Sequence, residues 1–383
     1  MKMQRWTVWL LTGLLPLMSG CAGFWNAPAS SSTTVSTTTL SSGYFFVINV
    51  ETNQIVSYYV KAGTLTQVHA YTTPTTPYTL TVAPNNEYLY LGTVGGIYVY
   101  SISSGNLTIV NSGQPISADE AYAMQVSANN AWLIEAVSGT AAVYAIPLST
   151  STGLPSSSTE EAVSISSSSI EQLTVSPNDD YVFVAMGSGG TACIPFTTGN
   201  TNPFGSVSTI SPVNSSSGAA LSVAVDPDAR LLYIGETSAT SGSNSGGLRV
   251  FKYSTLTEVS GSPYATGGLA PYSILPEAGG EYVYVANRQT NSSSTGLIEG
   301  YTISSSSGTY SLSSMASNFT AGTHTQGLVE DSSDQFIFAV SVGGSYDLTG
   351  YVFDSTTAGS LDTVLESSTG TDPVEAWAIA AIH

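Results

Sequence analysis

The chain has 383 residues, 9% charged and 42% hydrophobic, with seven Lys and Arg against 26 Asp and Glu for a formal net charge of −19. Soluble domains carry about a quarter charged residues; here Ser, Thr, Asn and Gly stand in their place, while 22 Tyr and 11 Phe supply enough core to exclude a disordered polyelectrolyte. So little base excludes nucleic acid as a partner, since phosphate binding needs clustered Lys and Arg, and so few charges in no helical period exclude a coiled coil or helical bundle.

At the N-terminus Lys2 and Arg5 precede an apolar run from Trp6 to Met18, followed by Ser19-Gly20-Cys21. A basic start, a short apolar core and small residues describe a secretory signal over 1–20, and the run is short for a bilayer span. Leu17-Met18-Ser19-Gly20-Cys21 resembles the lipobox of bacterial lipoproteins, with Met18 where that pattern prefers Leu. The resemblance implies lipidation of Cys21, and Ala22 after it implies the outer membrane. An ordinary signal peptide with an incidental Cys is the other reading. The expectation is an exported protein of the cell envelope that meets the membrane through its lipid alone. Residues 21–42, dominated by Ala, Pro, Ser and Thr from Asn26 onward, read as a flexible tether. Cys193 is then the only other cysteine, so no disulfide is expected, and its apolar neighbours Ala192 and Ile194 make it a buried core thiol.

From residue 43 the chain repeats one unit. Pro84-Asn85-Asn86-Glu87-Tyr88 recurs as Ala128-Asn129-Asn130-Ala131-Trp132, Pro177-Asn178-Asp179-Asp180-Tyr181, Pro227-Asp228-Ala229-Arg230-Leu231, Ala278-Gly279-Gly280-Glu281-Tyr282 and Ser332-Ser333-Asp334-Gln335-Phe336. Each is an Asn, Asp or Gly turn between β-branched or aromatic runs, a hairpin pattern. The anchors Tyr88, Trp132, Tyr181, Leu231, Tyr282 and Phe336 lie 44 to 54 residues apart, with a third strand and a more polar fourth segment after each. Four strands per such period is the mark of a β-propeller blade.

The ends complete the count. Tyr44–Asn49, Gln54–Val60 and Leu65–Ala70 read as second, third and fourth strands with no first, and Val374–Ile382 as a first strand with nothing after it. Together they predict an all-β, seven-bladed propeller over 43–383, closed by pairing the C-terminal strand with the N-terminal blade, which removes free sheet edges.

Hairpins between first and second strands all emerge on one face, where turn chemistry accounts for Asp179, Asp180, Asp228 and Asp334 without a metal. On the other face, ten residues before the anchors, stand Tyr78, Tyr122, Glu171, Leu221, Tyr272 and Gln326, with Val374 as the seventh member. These are expected to ring the channel mouth. Near the ends of second strands come Glu135, Glu236, Asn287 and Arg288, and His324 enters a first strand. The mouth is thus aromatic and acidic, with Arg288 its cation. No metal-ligand spacing is readable among His69, His324 and His383, and a divalent cation at the acidic mouth has no readable ligand set. No cofactor is expected. No Gly-x-Ser-x-Gly elbow occurs either.

The blade pattern, Tyr282-Val283-Tyr284-Val285-Ala286-Asn287-Arg288, and Gly261-Ser262-Pro263-Tyr264 followed by Gly268-Leu269-Ala270-Pro271 resemble the seven-bladed lactonase propellers that include bacterial 6-phosphogluconolactonase. Tyr284 to Arg288 matches the family's Tyr-Val-x-Asn-Arg strand end. Tyr233-Ile234-Gly235-Glu236 places the Glu of a companion motif one residue early. Where relatives have Pro-Arg-His, this chain has Pro77-Tyr78, Pro271-Tyr272 and Pro373-Val374. The natural phosphate clamps are therefore missing, which argues against a phosphosugar.

Two functions follow. In the first, Glu236 or Glu171 is a general base, Arg288 stabilises an oxyanion, Tyr78, Tyr122, Tyr272 and Asn287 hold an uncharged sugar lactone or ester, and His324 is a further catalytic candidate. In the second, the propeller is a monomeric, non-catalytic platform for a glycan, a peptide or an envelope protein.

Overall fold

The computed structural model describes residues 43–61, 64–137, 139–344, 346–366 and 372–383; the signal, Cys21 and the tether lie outside them. The second strand of each repeat is apolar almost without interruption, and in Phe45–Asn49, Trp132–Val137, Leu231–Glu236 and Phe336–Ser341 every residue is buried. A strand covered on both faces reads this way because neither side of its sheet meets water. The peripheral strands are more exposed: Asn106–Ile109 buries Leu107 and exposes the rest.

These strands form seven antiparallel sheets, six of them built in chain order from the inside outward. Their inner strands are Pro77–Val82, Ala121–Val126, Gln172–Val175, Ala220–Val225, Pro271–Pro276, Thr325–Glu330 and Ala376–Ala381; we number the blades 1 to 7 in that order. Successive inner strands contact one another, and the seventh contacts the first, closing a ring. Blade 7 is completed from the opposite end of the chain, with Phe45 opposite Ala381 and Ile48 opposite Ala378. Fold class and closure are those expected. Blades 4 and 5 add a short strand, Tyr264–Ala265 and Phe319–Thr323 respectively.

The core is divided between blades. Seven apolar clusters each join two adjacent sheets; in one, Trp132 and Ile134 of blade 2 meet Leu173 and Val182 of blade 3. Cys193 is buried in the cluster between blades 3 and 4. Side chains tie the inner strands to one another: Gln125 Oε1 accepts the Val175 N–H at 2.9 Å, Gln172 Oε1 that of Val223 at 2.8 Å, and Ser222 Oγ donates to Pro271 O at 2.8 Å.

The hairpin face obeys its turn chemistry. Asn86, Asn130, Asp179, Ala229, Gly280 and Asp334 all hold left-handed backbone, the conformation that Asn, Asp and Gly adopt at least cost. Several turns also clasp the neighbouring blade. Asp179 accepts the Ala128 and Asn129 N–H groups at 2.7 and 3.0 Å, and Asn86 makes reciprocal bonds of 2.7 and 2.8 Å with the backbone of His383.

Candidate functional site: the channel mouth

A single irregularity recurs at the start of the inner strands. Between Pro77 and Thr79, Ala121 and Ala123, Ala220 and Ser222, Pro271 and Ser273, Thr325 and Gly327, and Ala376 and Ala378, the register to the second strand slips by one residue. The extra residues are Tyr78, Tyr122, Leu221, Tyr272, Gln326 and Trp377. A β-bulge re-aims the unpaired side chain, and here five of the six face the central channel. In blade 3, Glu171 precedes the strand and donates its N–H to Ala185 O at 2.9 Å, extending the ladder to the same level. Tyr78, Tyr122, Glu171, Tyr272, Gln326 and Trp377 thus line one cavity of about 200 Å³; Leu221 is not among its lining residues.

The seventh position is a correction. Val374 is 46% exposed, and Glu375 takes a left-handed φ of 52° that starts the strand only at Ala376. The ring member is Trp377. His324 is the counterpart of Glu375, with a φ of 53° immediately before its inner strand. It does not line the cavity; Gln326, two residues on, does.

Glu236 and Asn287 also lie elsewhere than expected. Both sit at the final, fully buried position of a second strand, opposite the residue before the bulge. Glu236 accepts Arg249 Nη1 at 2.8 Å and the Val213 N–H at 3.0 Å, and Arg249 also pairs with Glu258 at 2.8 Å. Asn287 accepts the Thr266 hydroxyl at 2.9 Å and donates to Thr266 O at 2.7 Å. Neither lines the cavity, and their hydrogen-bonding atoms are taken up by the scaffold. Glu135 is wholly buried in its strand and likewise does not line the cavity.

Arg288, one residue past its strand, does not itself line the cavity but lies over the ring of Tyr272, which does, with Cζ 4.4 Å from the centroid. Among the described residues it makes no ion pair within 4.0 Å. Burial raises the Glu171 carboxyl, and the Arg288 charge partly offsets that. The Tyr272 hydroxyl is pushed far up by burial, then by Tyr122, with Arg288 opposing and Glu171 adding to the rise. Tyr78 is raised by burial and by the carboxylate of Glu120. Gln326 is 6% exposed, and among the described residues neither amide atom has a hydrogen-bond partner. A buried amide without partners costs a few kcal/mol, so it is the lining group with most to gain from a polar ligand. Among the described residues, the mouth gathers the carboxylate of Glu171 and, beside Tyr78, that of Glu120, with the Arg288 cation next to Tyr272, the amide of Gln326 and four aromatic rings.

No protein-family model matches the sequence, and no curated protein sequence matches it. Among solved structures, a candidate 6-phosphogluconolactonase of Bacteroides fragilis superimposes with a TM-score of 0.67 at 12% identity, over 91% of this chain and 99% of its own. A second, from Bacteroides uniformis, gives 0.65 at 14% identity over 88% and 97%. The periplasmic gluconolactonase of Pseudomonas aeruginosa gives 0.65 at 15% identity over 87% and 98%. At such identities the likeness is one of fold, and this chain shares the seven-bladed propeller fold of these proteins.

Proposed function

We propose that this chain hydrolyses an uncharged sugar lactone, or a comparable cyclic ester, at the mouth of its central channel, as an exported, lipid-anchored protein. The observation that carries the reading is that Glu171 and Tyr272 line the same cavity and Arg288 lies over the Tyr272 ring, at the opening where the aromatic residues gather. Glu171 takes a proton from water and the resulting hydroxide oxygen attacks the carbonyl carbon. Arg288 stabilises the oxyanion. The ring C–O bond then breaks, and the leaving alkoxide takes the proton back from Glu171 to give the open hydroxy acid. A carboxylate raised by burial is a stronger base than a free one. Tyr78, Tyr122, Tyr272 and Trp377 offer faces for a sugar ring, and Gln326 a donor and an acceptor for its hydroxyls. With Arg288 the one cation at the mouth among the described residues, an uncharged substrate suits the site better than a phosphorylated one.

A second reading, non-catalytic capture of a glycan, is favoured by the unpartnered amide of Gln326 among aromatic rings. The experiment is lactone hydrolysis by the purified protein and by Arg288→Ala, with thermal shift against neutral sugars alongside. Turnover lost in Arg288→Ala supports the enzyme; equal slow rates with sugar-induced stabilisation support the binding module.

A further inference from the structure

Glu135 stands on Trp132–Val137 of blade 2, opposite Met124 on one side and Tyr144 on the other. It is 0% exposed, and among the described residues neither carboxylate oxygen has a hydrogen-bond partner. A buried carboxylate needs a compensating group, yet what approaches it is more acid. Asp119, in the linker before the inner strand, and Glu160, in the loop before the outer strand Glu161–Ser164, each bring an oxygen so that all three lie within 4.8 Å of one another. Burial, then Asp119 and Glu160, push Glu135 up to about 8, and Glu160 is raised by burial and by Asp119.

We infer that Asp119, Glu135 and Glu160 hold a divalent cation, Ca²⁺ by preference, within blade 2. Two oxygens can share one Ca²⁺ at about 2.4 Å each when they are no more than about 4.8 Å apart, and this trio meets that limit. All three donors are carboxylate oxygens, which suit Ca²⁺ or Mg²⁺ over the metals that prefer His and Cys. Asp119 and Glu160 border an open cleft of about 420 Å³ whose walls also carry Ser117, Ser157 and Ser158. The cleft gives the ion a path and further hydroxyl oxygens, and it shares no residue with the channel cavity. The cation would join the segment entering the inner strand of blade 2 to the one entering its outer strand. It is separate from the lactone site and stands whether or not that reading does.

The test is calorimetric titration of Ca²⁺ into chelator-treated protein, with thermal unfolding in parallel. A single site no weaker than about 1 mM, the range of extracellular calcium modules, is expected, together with a rise in Tm of several degrees. Glu160→Gln, at an exposed position, is expected to weaken binding at least tenfold. Glu135→Gln is expected to abolish it without lowering the Tm of the metal-free protein. Absence of saturable binding at about 10 mM Ca²⁺, ten times that weakest class, overturns the site. So does either variant binding as tightly as the unaltered protein.

Discussion

The guanidinium of Arg288 rests 4.4 Å above the ring centroid of Tyr272, the bulged residue of the same blade. The contact holds a cation at the channel mouth without neutralising it by a carboxylate, and this decides what substitutions there should do. Replacing Arg288 by Ala removes a half-exposed cation–π contact of about 0.5–1 kcal/mol, so stability hardly changes. If Arg288 faces an oxyanion, kcat falls about 10²–10³-fold. The pair of measurements, kcat and Tm, separates the two effects.

Glu171 and Glu236 should part company. Glu171→Gln leaves a half-buried, isosteric side chain and is expected to remove turnover with little change in Tm. Glu236→Ala strips one partner from the buried guanidinium of Arg249 and is expected to cost about 3 kcal/mol, because an under-compensated buried charge remains. Lactone turnover per folded molecule should survive. Urea unfolding beside initial rates would show it, and loss of specific activity in Glu236→Ala with full stability would reverse the assignment.

Gln326→Leu gives a sharper test of the channel. Removing a buried, unpartnered amide is expected to raise Tm, since its desolvation is no longer uncompensated. The same change should weaken any sugar or lactone that bonds to it by about tenfold, one lost hydrogen bond being worth roughly 1 kcal/mol or a little more. Stability and affinity should therefore move in opposite directions.

The Glu330 carboxyl is pushed up to about 8, chiefly by burial, with the Ala278 N–H opposing and Glu277, Asp334 and Asp331 adding to the rise. The folded state thus holds a proton that the unfolded chain releases above its ordinary value of 4.5. This contribution to stability is complete below that value and is lost as pH rises through about 8. Urea midpoints are expected to fall from about pH 5 to about pH 9, and Glu330→Gln should flatten part of that slope.

Deleting Ala376–His383 would strip the inner strand from blade 7 and expose Phe45–Asn49, five buried residues, as a free edge. Aggregation rather than a six-bladed monomer is the expected outcome, read by light scattering. Asn86→Ala loses two bonds to His383 and sets Ala in a left-handed conformation, so a milder loss of about 1–2 kcal/mol is expected.

Much of this molecule is local in origin. The Asn, Asp and Gly turns, the alternation around them and their near-constant spacing are properties of consecutive residues, so the seven blades and the closing strand are legible in the sequence. Position ten before the anchors works for the same reason: it counts residues along a single hairpin. In blade 4 it lands on Leu221, which does not line the cavity, and it fails for blade 7, whose hairpin partner lies at the other end of the chain. Trp377 could be placed only once Ala376 and Ala378 were seen opposite Asn49 and Ile48.

The acidic and amide residues at strand ends were a different matter. Sequence put Glu236, Asn287 and Arg288 at one mouth, because all three lie near the ends of second strands. The bulge re-aims the inner-strand residue into the channel, while the last residue of the second strand stays between blades. Glu236 and Asn287 are accordingly held by Arg249 and Thr266, and Arg288, one step further, reaches Tyr272. The scarcity of charge, read first against nucleic acid and then against a phosphosugar, was fixed by the sequence alone. Which few charges meet the channel was decided by tertiary packing, since burial between blades and exposure to the channel are separated by a single residue of register.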